Sequence, residues 1–173
     1  MSKVIKVKLD TNSIQSAINE LEEYQEDLNR KLYRFIDALI QEGVTVANAW
    51  LGSTQGDSTD AEIGYGINDE GDIIYATISL EGPDALFIEF GAGIAYNTGA
   101  QHPYAGEFGY GIGTYPSKHP PNKAINPGKW IYGHDDDGMP LWSIGTQATM
   151  PIYHAAENMR NNAIKKALDI FRS

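Results

Sequence analysis

Apolar positions along the chain predict two long helices, one near each end. In the first, apolar residues recur at intervals of four and three positions, which is typical of a narrow helical stripe packed lengthwise on another helix. The stripe consists of Ile14, Ile18, Leu21, Leu28, Leu32, Phe35 and Leu39, with Gln25 in the remaining position. Thr11, Asn12 and Ser13 offer capping oxygens for the start of this helix. Gly43 could end or kink it, but the pattern allows it to continue to Trp50.

The second helix is predicted at 149–172. Pro151 lies in its first turn, where proline is tolerated because the first amides of a helix have no intrahelical partner. The apolar stripe consists of Ile152, Ala156, Met159, Ala163, Ala167 and Ile170, widened by Ile164 and Phe171. Basic residues cluster toward the C-terminal end, which suits the helix dipole.

Between and before the helices, alternation of apolar and polar residues predicts strands. Residues 3–9 alternate, so the segment 1–51 is predicted as a short strand followed by the first helix. Residues 61–91 hold three alternating runs separated by turn-forming residues, which predicts an antiparallel meander. Its third strand contains Leu86, Ile88 and Phe90. A hairpin is predicted at 128–145, with its turn at 135–138.

The remaining segment, 92–127, is predicted as an extended loop rich in glycine, proline and aromatic residues. Loops of this length usually carry function or bind a partner. The aromatic residues of this loop and of the hairpin are too many for the loop's own core, and interfaces are enriched in such residues. The interface candidates are therefore Tyr96, Tyr104, Phe108, Tyr110, Tyr115, Trp130 and Trp142.

Together these elements predict a single domain, 1–173, of the α+β class. It would contain a small antiparallel sheet packed with a long N-terminal helix and a C-terminal helix, together with the long aromatic loop. A chain of 173 residues can bury a core without disulfides, and this one has no cysteine.

The net charge of the chain argues against one class of function, binding of nucleic acid. The chain has 13 Lys+Arg and 23 Asp+Glu, a formal net charge of −10. Such a chain repels phosphates, which argues against a protein built to grip DNA. The imbalance lies in residues 51–153, which hold 3 basic and 13 acidic residues, and solubility is its simplest explanation. No apolar run is long enough to span a membrane, and the lysine-containing N-terminus is unlike a signal peptide.

Motifs for metal, phosphate or catalysis are incomplete. The run from Asp135 lacks the glutamate that a calcium loop needs at its twelfth position, where Thr146 stands. His154 has Asn158 where a second zinc-binding histidine would be required. The glycines after Phe90 lack the third glycine of a dinucleotide loop. We therefore expect no catalytic residue, no metal and no cofactor, so the protein is not expected to be an enzyme.

Two alternatives stay open. Glu89 on its predicted strand and Glu107 in the loop, together with Trp130 and Trp142, would suit a carbohydrate-binding or cell-wall glycan-cleaving domain. An acidic protein that mimics nucleic acid is the other alternative, on the basis of net charge alone.

The order of elements resembles the tail-completion, or head–tail joining, family of long-tailed bacteriophages, whose members are also described as minor tail components. The long N-terminal helix leads into 47–51, and the segment 87–93 is similar to the family's aromatic-x-Glu-aromatic-Gly-x-Gly pattern. A loop with His102-Pro103 and His119-Pro120 follows, then an aromatic hairpin around Trp130. The segment 145–148 then leads into the last helix, which contains Pro151 in its first turn.

The resemblance implies a non-catalytic virion protein of the tail or neck, assembled in the host cytoplasm. It implies a homo-oligomeric ring, commonly of six subunits, that meets the connector or head-closure protein on one side. On the other side it would meet the tail tube or tail terminator protein. DNA would pass nearby without specific binding, and no membrane is involved. Some carboxylates of 51–153 would then line the lumen, where repulsion keeps DNA from sticking.

Overall fold

Two helices and a set of short strand pairs make up the fold. The computed structural model describes residues 6–56, 59–71, 73–93, 101–112, 114 and 129–172. The elements are α1 (Thr11–Leu51), β1 (Glu62–Asp69), β2 (Ile74–Glu81), α2 (Ala85–Phe90), β3 (Ala92–Gly93), β4 (Gly111–Ile112), β5 (Trp130–His134), β6 (Pro140–Ser143) and α3 (Pro151–Arg172). The predicted α+β class, with a long N-terminal helix, a small antiparallel sheet and a C-terminal helix, is confirmed.

The N-terminus of α1 is capped by Asp10, whose side chain accepts a hydrogen bond from the Ser13 N–H at 2.8 Å. The Lys8 N–H donates to the Ser13 hydroxyl at 2.8 Å. The strand predicted at 3–9 is wrong for residues 6–9, which are irregular, and its first residues lie outside the described residues. The physical reason is that the Lys8 N–H bonds to the Ser13 side chain of the helix cap instead of to a neighbouring strand. Leu9 is also fully exposed rather than half-buried.

Helix α3 packs antiparallel on the C-terminal half of α1. Trp50 stacks on His154 at one end, and Phe35 meets Phe171 edge-on at the other, with ring centroids 6.1 Å apart. Between them, the Glu42 carboxylate pairs with the Lys166 ammonium at 2.7 Å and accepts from the Asn162 amide. The predicted helix–helix packing along the apolar stripe therefore holds for this half of α1.

Gly43 lies inside α1 and does not break it. A Cβ at this position would lie 2.5 Å from Ile78 Cδ1 and 2.6 Å from Met159 Sδ. The glycine therefore lets β2 and α3 approach α1 closely, which explains why a weak helix former occupies the middle of the helix.

The β1–β2 hairpin packs against α1 along its half-buried face. Its eight-residue register pairs Glu62 with Glu81 at one end and Asp69 with Ile74 at the other. At the turn end, the Tyr33 hydroxyl of α1 donates to the Asp69 carboxylate. The hairpin therefore follows α1 from its C-terminal end back to about Tyr33.

The third strand of the predicted meander is wrong. Leu86, Ile88 and Phe90 belong to α2, a six-residue helix in which Ile88 is fully buried and Leu86 is exposed. The buried residues Ala85, Ile88 and Glu89 recur at intervals of three and one, which is one helical face rather than one strand face. The meander is thus reduced to a hairpin followed by a helix.

The segment predicted as an extended loop, 92–127, contains the short strands β3 and β4, which pair in parallel. Residues 101–110 between them form a series of turns. The residues 94–100, 113 and 115–128 lie outside the described part of the chain.

The hairpin predicted at 128–145 is present as β5 and β6, with an irregularity between Ile131 and Gly133. The Asp135 carboxylate accepts from the N–H groups of Asp137 at 3.1 Å and Met139 at 2.8 Å. The aspartate run therefore builds the turn itself, as short polar side chains commonly do.

Helix α3 ends at the predicted residue, Arg172, but begins at Pro151 rather than at 149, and its exposed face differs from the prediction. Ile164 does not widen the buried stripe, because 76% of it is exposed. Ala155, rather than Ala156, is the buried alanine of the first turns. None of the helices within the described residues is long and apolar enough to cross a membrane.

Candidate functional site

The carboxylate of Glu89 joins α2 to the start of α3. It is buried, and its two oxygens accept hydrogen bonds from the N–H groups of Ile152 and Tyr153, each at 2.9 Å. Helix α3 begins at Pro151, and the residue before it, Met150, has no side-chain oxygen that could cap the helix. Glu89 therefore supplies from a distant part of the chain the cap that the local sequence lacks, and its negative charge suits the helix N-terminus.

His102 adds a second contact to the same carboxylate. It is buried, and its Nε2 lies 3.4 Å from Glu89 Oε1. The Tyr104 N–H donates to His102 Nδ1 at 3.1 Å. Because Nδ1 accepts, the neutral ring carries its proton on Nε2, where it faces Glu89. The turn at 101–104 is thereby attached to the junction of α2 and α3.

Thr146 pairs with two other segments next to this junction. Ala92 and Thr146 exchange two backbone hydrogen bonds of 3.0 Å, and Thr146 also forms a bridge with Gly56. Strand β4 pairs on the other side of Ala92. Four segments therefore meet here, through the β3–β4 strand pair and two isolated backbone bridges.

Glycine is required at this meeting point. Gly145 has φ +87°, and a Cβ there would collide with the Ala92 carbonyl oxygen. Gly91 has φ +76°, and a Cβ there would lie 3.0 Å from the Ala148 nitrogen. Gly91 and Gly145 thus permit close backbone approach at this meeting point.

His154 lies on the other side of α3, in contact with α1. Its ring stacks on Trp50 with centroids 3.8 Å apart, and its Nε2 is buried with no hydrogen-bond partner among the described residues. Burial lowers the pKa of His154; the Glu89 carboxylate raises it, and His102 lowers it further. His154 is therefore a partly buried residue at the contact between α3 and α1.

Aromatic side chains of the 101–112 segment pack on α2 and form the candidate interaction surface. Phe90 lies 5.2 Å from Phe108 and 5.5 Å from Tyr110, measured between ring centroids. Phe108 and Tyr104 remain more than half exposed. We call Phe90, Tyr104, Phe108 and Tyr110 the aromatic patch.

The structure brings together three of the seven interface candidates, namely Tyr104, Phe108 and Tyr110. Trp142 is exposed on β6 and is not part of the aromatic patch. Trp130 lies in β5, but its side chain is outside the described residues, as are Tyr96 and Tyr115. The sequence pattern does not identify Phe90 as a member, because the alternation of Leu86, Ile88 and Phe90 predicts a strand.

The position of Glu89 bears on the alternative of a glycan-cleaving domain. It lies on a helix rather than on the predicted strand, and both of its oxygens already bind main-chain donors. It is therefore unsuited to pair with the exposed Glu107 as a glycosidase would require. Within the described residues, no group of three or more His, Asp or Glu side chains could hold a metal ion.

Comparison with known proteins gives no match to a protein-family model, a curated protein or a solved structure.

Proposed function

We propose that the chain is a non-catalytic structural protein of a tailed-bacteriophage virion, which completes the tail and joins it to the head connector as a ring. The proposal starts from the resemblance carried by the segments 87–93 and 145–155. Its partners are further copies of the chain, the connector or head-closure protein, and the tail tube or tail terminator protein. Six subunits is the expected ring number.

One observation carries this proposal: the two resembling segments form a single structural unit. Glu89 of the first segment caps the helix that the second segment begins, and Ala92 pairs with Thr146. Residues separated by more than fifty positions therefore depend on each other physically. This interdependence supports a shared motif rather than two coincidental similarities.

The aromatic patch supports a role in binding a protein. Its side chains are large and fixed by ring contacts, and two of them stay exposed, which is typical of the centre of a protein interface. The junction beneath the patch uses its buried carboxylate for structure, which leaves surface contact as the better-supported role.

The test is genetic and structural. Loss of the gene from a phage that encodes this chain should leave heads and tails that are complete but unjoined in electron micrographs. Restoring the wild-type chain should restore joined particles, whereas Phe108→Ser should not. Tyr65→Ser is the matched control, because Tyr65 is similarly exposed but lies on β1. Normal particles without the chain, or specific binding and cleavage of cell-wall glycans by it, would contradict the proposal.

A further inference from the structure

The N-terminal half of α1 extends beyond the rest of the described fold. Helix α3 ends at Arg172, next to the point where Phe171 meets Phe35, and the β1–β2 hairpin reaches α1 only as far as Tyr33. Among the described residues, neither α3 nor the hairpin therefore covers 11–31, a helical segment about 30 Å long at 1.5 Å per residue in which Ala17 is buried. We call this segment the arm.

The arm carries an apolar stripe that is about half exposed. Its members are between 42% and 56% exposed: Ile14, Ile18, Leu21, Tyr24 and Leu28. Together they expose on the order of 500 Å², which is comparable to the largest apolar patch of a typical monomer, and such patches are often functional. The stripe continues the line of Phe35, which α3 covers in the same chain. A helix that follows the direction of α3 would therefore extend an existing seam.

The distribution of charge indicates which helix would cover the apolar stripe of the arm. The arm holds five acidic and two basic residues, and both basic residues, Arg30 and Lys31, pair with Asp27 in the arm itself. The segment 160–172 of α3 holds four basic residues and one acidic residue. The two segments therefore have opposite net charge.

The outer face of α3 also has the apolar residues that a partner for the arm needs. Ile164 and Leu168, one helical turn apart, are 76% and 42% exposed. Lys165 and Arg172 are exposed beside them. Apolar side chains flanked by basic ones match an apolar stripe flanked by acidic ones.

We infer that the arm of one copy packs on the outer face of α3 of a second copy, head to tail. Pairing of two arms with each other is disfavoured, because both arms carry the same net negative charge. A head-to-tail contact uses two different surfaces, so each copy can bind one neighbour on either side and the chain of contacts can close into a ring. The arm contact itself does not depend on the proposed function; only the expectation that the contacts close into a ring rests on it.

Cross-linking tests this contact directly, because the chain has no cysteine of its own. A tagged Leu21→Cys variant is mixed with an untagged Ile164→Cys variant and treated with a short bismaleimide. We expect the main product to join one tagged and one untagged chain, at least tenfold above either homodimer. A dominant Leu21→Cys homodimer would show arm–arm pairing, and the absence of any product would show that the arm binds no second copy. Either result overturns the inference.

Charge reversal gives a second measurement that does not depend on cross-linking. Glu22→Lys and Lys165→Glu should each reduce assembly in sedimentation velocity, and the double variant should recover most of it. Ile73→Arg is the control. Ile73 is 63% exposed, but it lies next to the β1–β2 turn, away from both surfaces of the proposed contact. Assembly that is indifferent to both single variants would refute the arm contact while leaving a ring by other surfaces possible. Intact arm cross-links in a chain absent from phage particles would refute the proposed function instead.

Discussion

The Glu89 carboxylate accepts a hydrogen bond of 2.9 Å from the Ile152 N–H, across 63 positions of sequence. This bond, with its neighbour from Tyr153, sets where α3 begins and ties α2 to it. The first-turn amides of a helix need partners, and here the partner is a charged group from another helix. The relationship makes Glu89 a structural residue of the junction beneath the aromatic patch.

Removal of this cap is expected to destabilise the fold. Glu89→Ala leaves the partly buried amides of Ile152 and Tyr153 without their acceptor and removes the contact with His102, which should lower the free energy of unfolding by about 2–4 kcal/mol. Glu89→Gln keeps one acceptor and should lose roughly half as much. Urea unfolding followed by circular dichroism measures both. Glu107→Gln, at an exposed glutamate, should change little; equal losses at both sites would contradict the cap.

Gly145 should tolerate no side chain. Gly145→Ala combines a left-handed backbone with a collision against the Ala92 carbonyl, and should cost about 3 kcal/mol or more. Gly138→Ala is the matched control, because Gly138 has φ +78° but open space around it. Its cost should be only about 1 kcal/mol. If both variants unfold at the same urea concentration, close approach at Gly145 is not important.

His154 should make stability depend on pH. Its folded pKa is lowered, mainly by burial, so the unfolded chain binds the proton more readily. Its contribution to stability is therefore full above the unfolded pKa and is lost as pH falls below about 6.5. Urea midpoints between pH 5 and pH 8 measure this loss. His154→Phe keeps a ring to stack on Trp50 and should flatten the profile, whereas His134→Gln, at an exposed histidine, should not.

The acidic middle of the chain gives a prediction about DNA. If its carboxylates line the lumen of the ring, Asp136→Lys with Asp137→Lys should increase DNA retention by the purified oligomer. The effect should disappear with added salt, because it depends on phosphate contacts. Both residues are exposed in the β5–β6 turn, where the Asp135 carboxylate accepts the hydrogen bonds that build the turn. Unchanged retention at low salt would leave solubility as the role of this charge.

Local pattern was sufficient for the long elements. The recurrence from Ile14 to Leu39, the alternation in β1 and β2, and the turn residues at 135–138 each act within a few positions. Helices α1 and α3 and both antiparallel hairpins could therefore be predicted. The same recurrence also identified the arm's stripe, but not that no helix within the described residues covers it.

Shorter segments required the tertiary structure. The pattern of Leu86, Ile88 and Phe90 suits a strand or one helical turn equally well, and burial of Ala85 with Ile88 and Glu89 decides for the helix. Residues 6–9 show alternation too, but the Asp10 cap takes precedence there.

By itself, the sequence determined the fold class, the two long helices and the uneven charge, because periodicity and composition are local properties. Only the tertiary structure decided that Glu89 caps α3, that Gly145 must lie against Ala92, and that Phe90 joins the aromatic patch. These contacts depend on which distant segments meet. Burial and backbone hydrogen bonding across the whole chain determine that meeting, and no short window of residues contains the information.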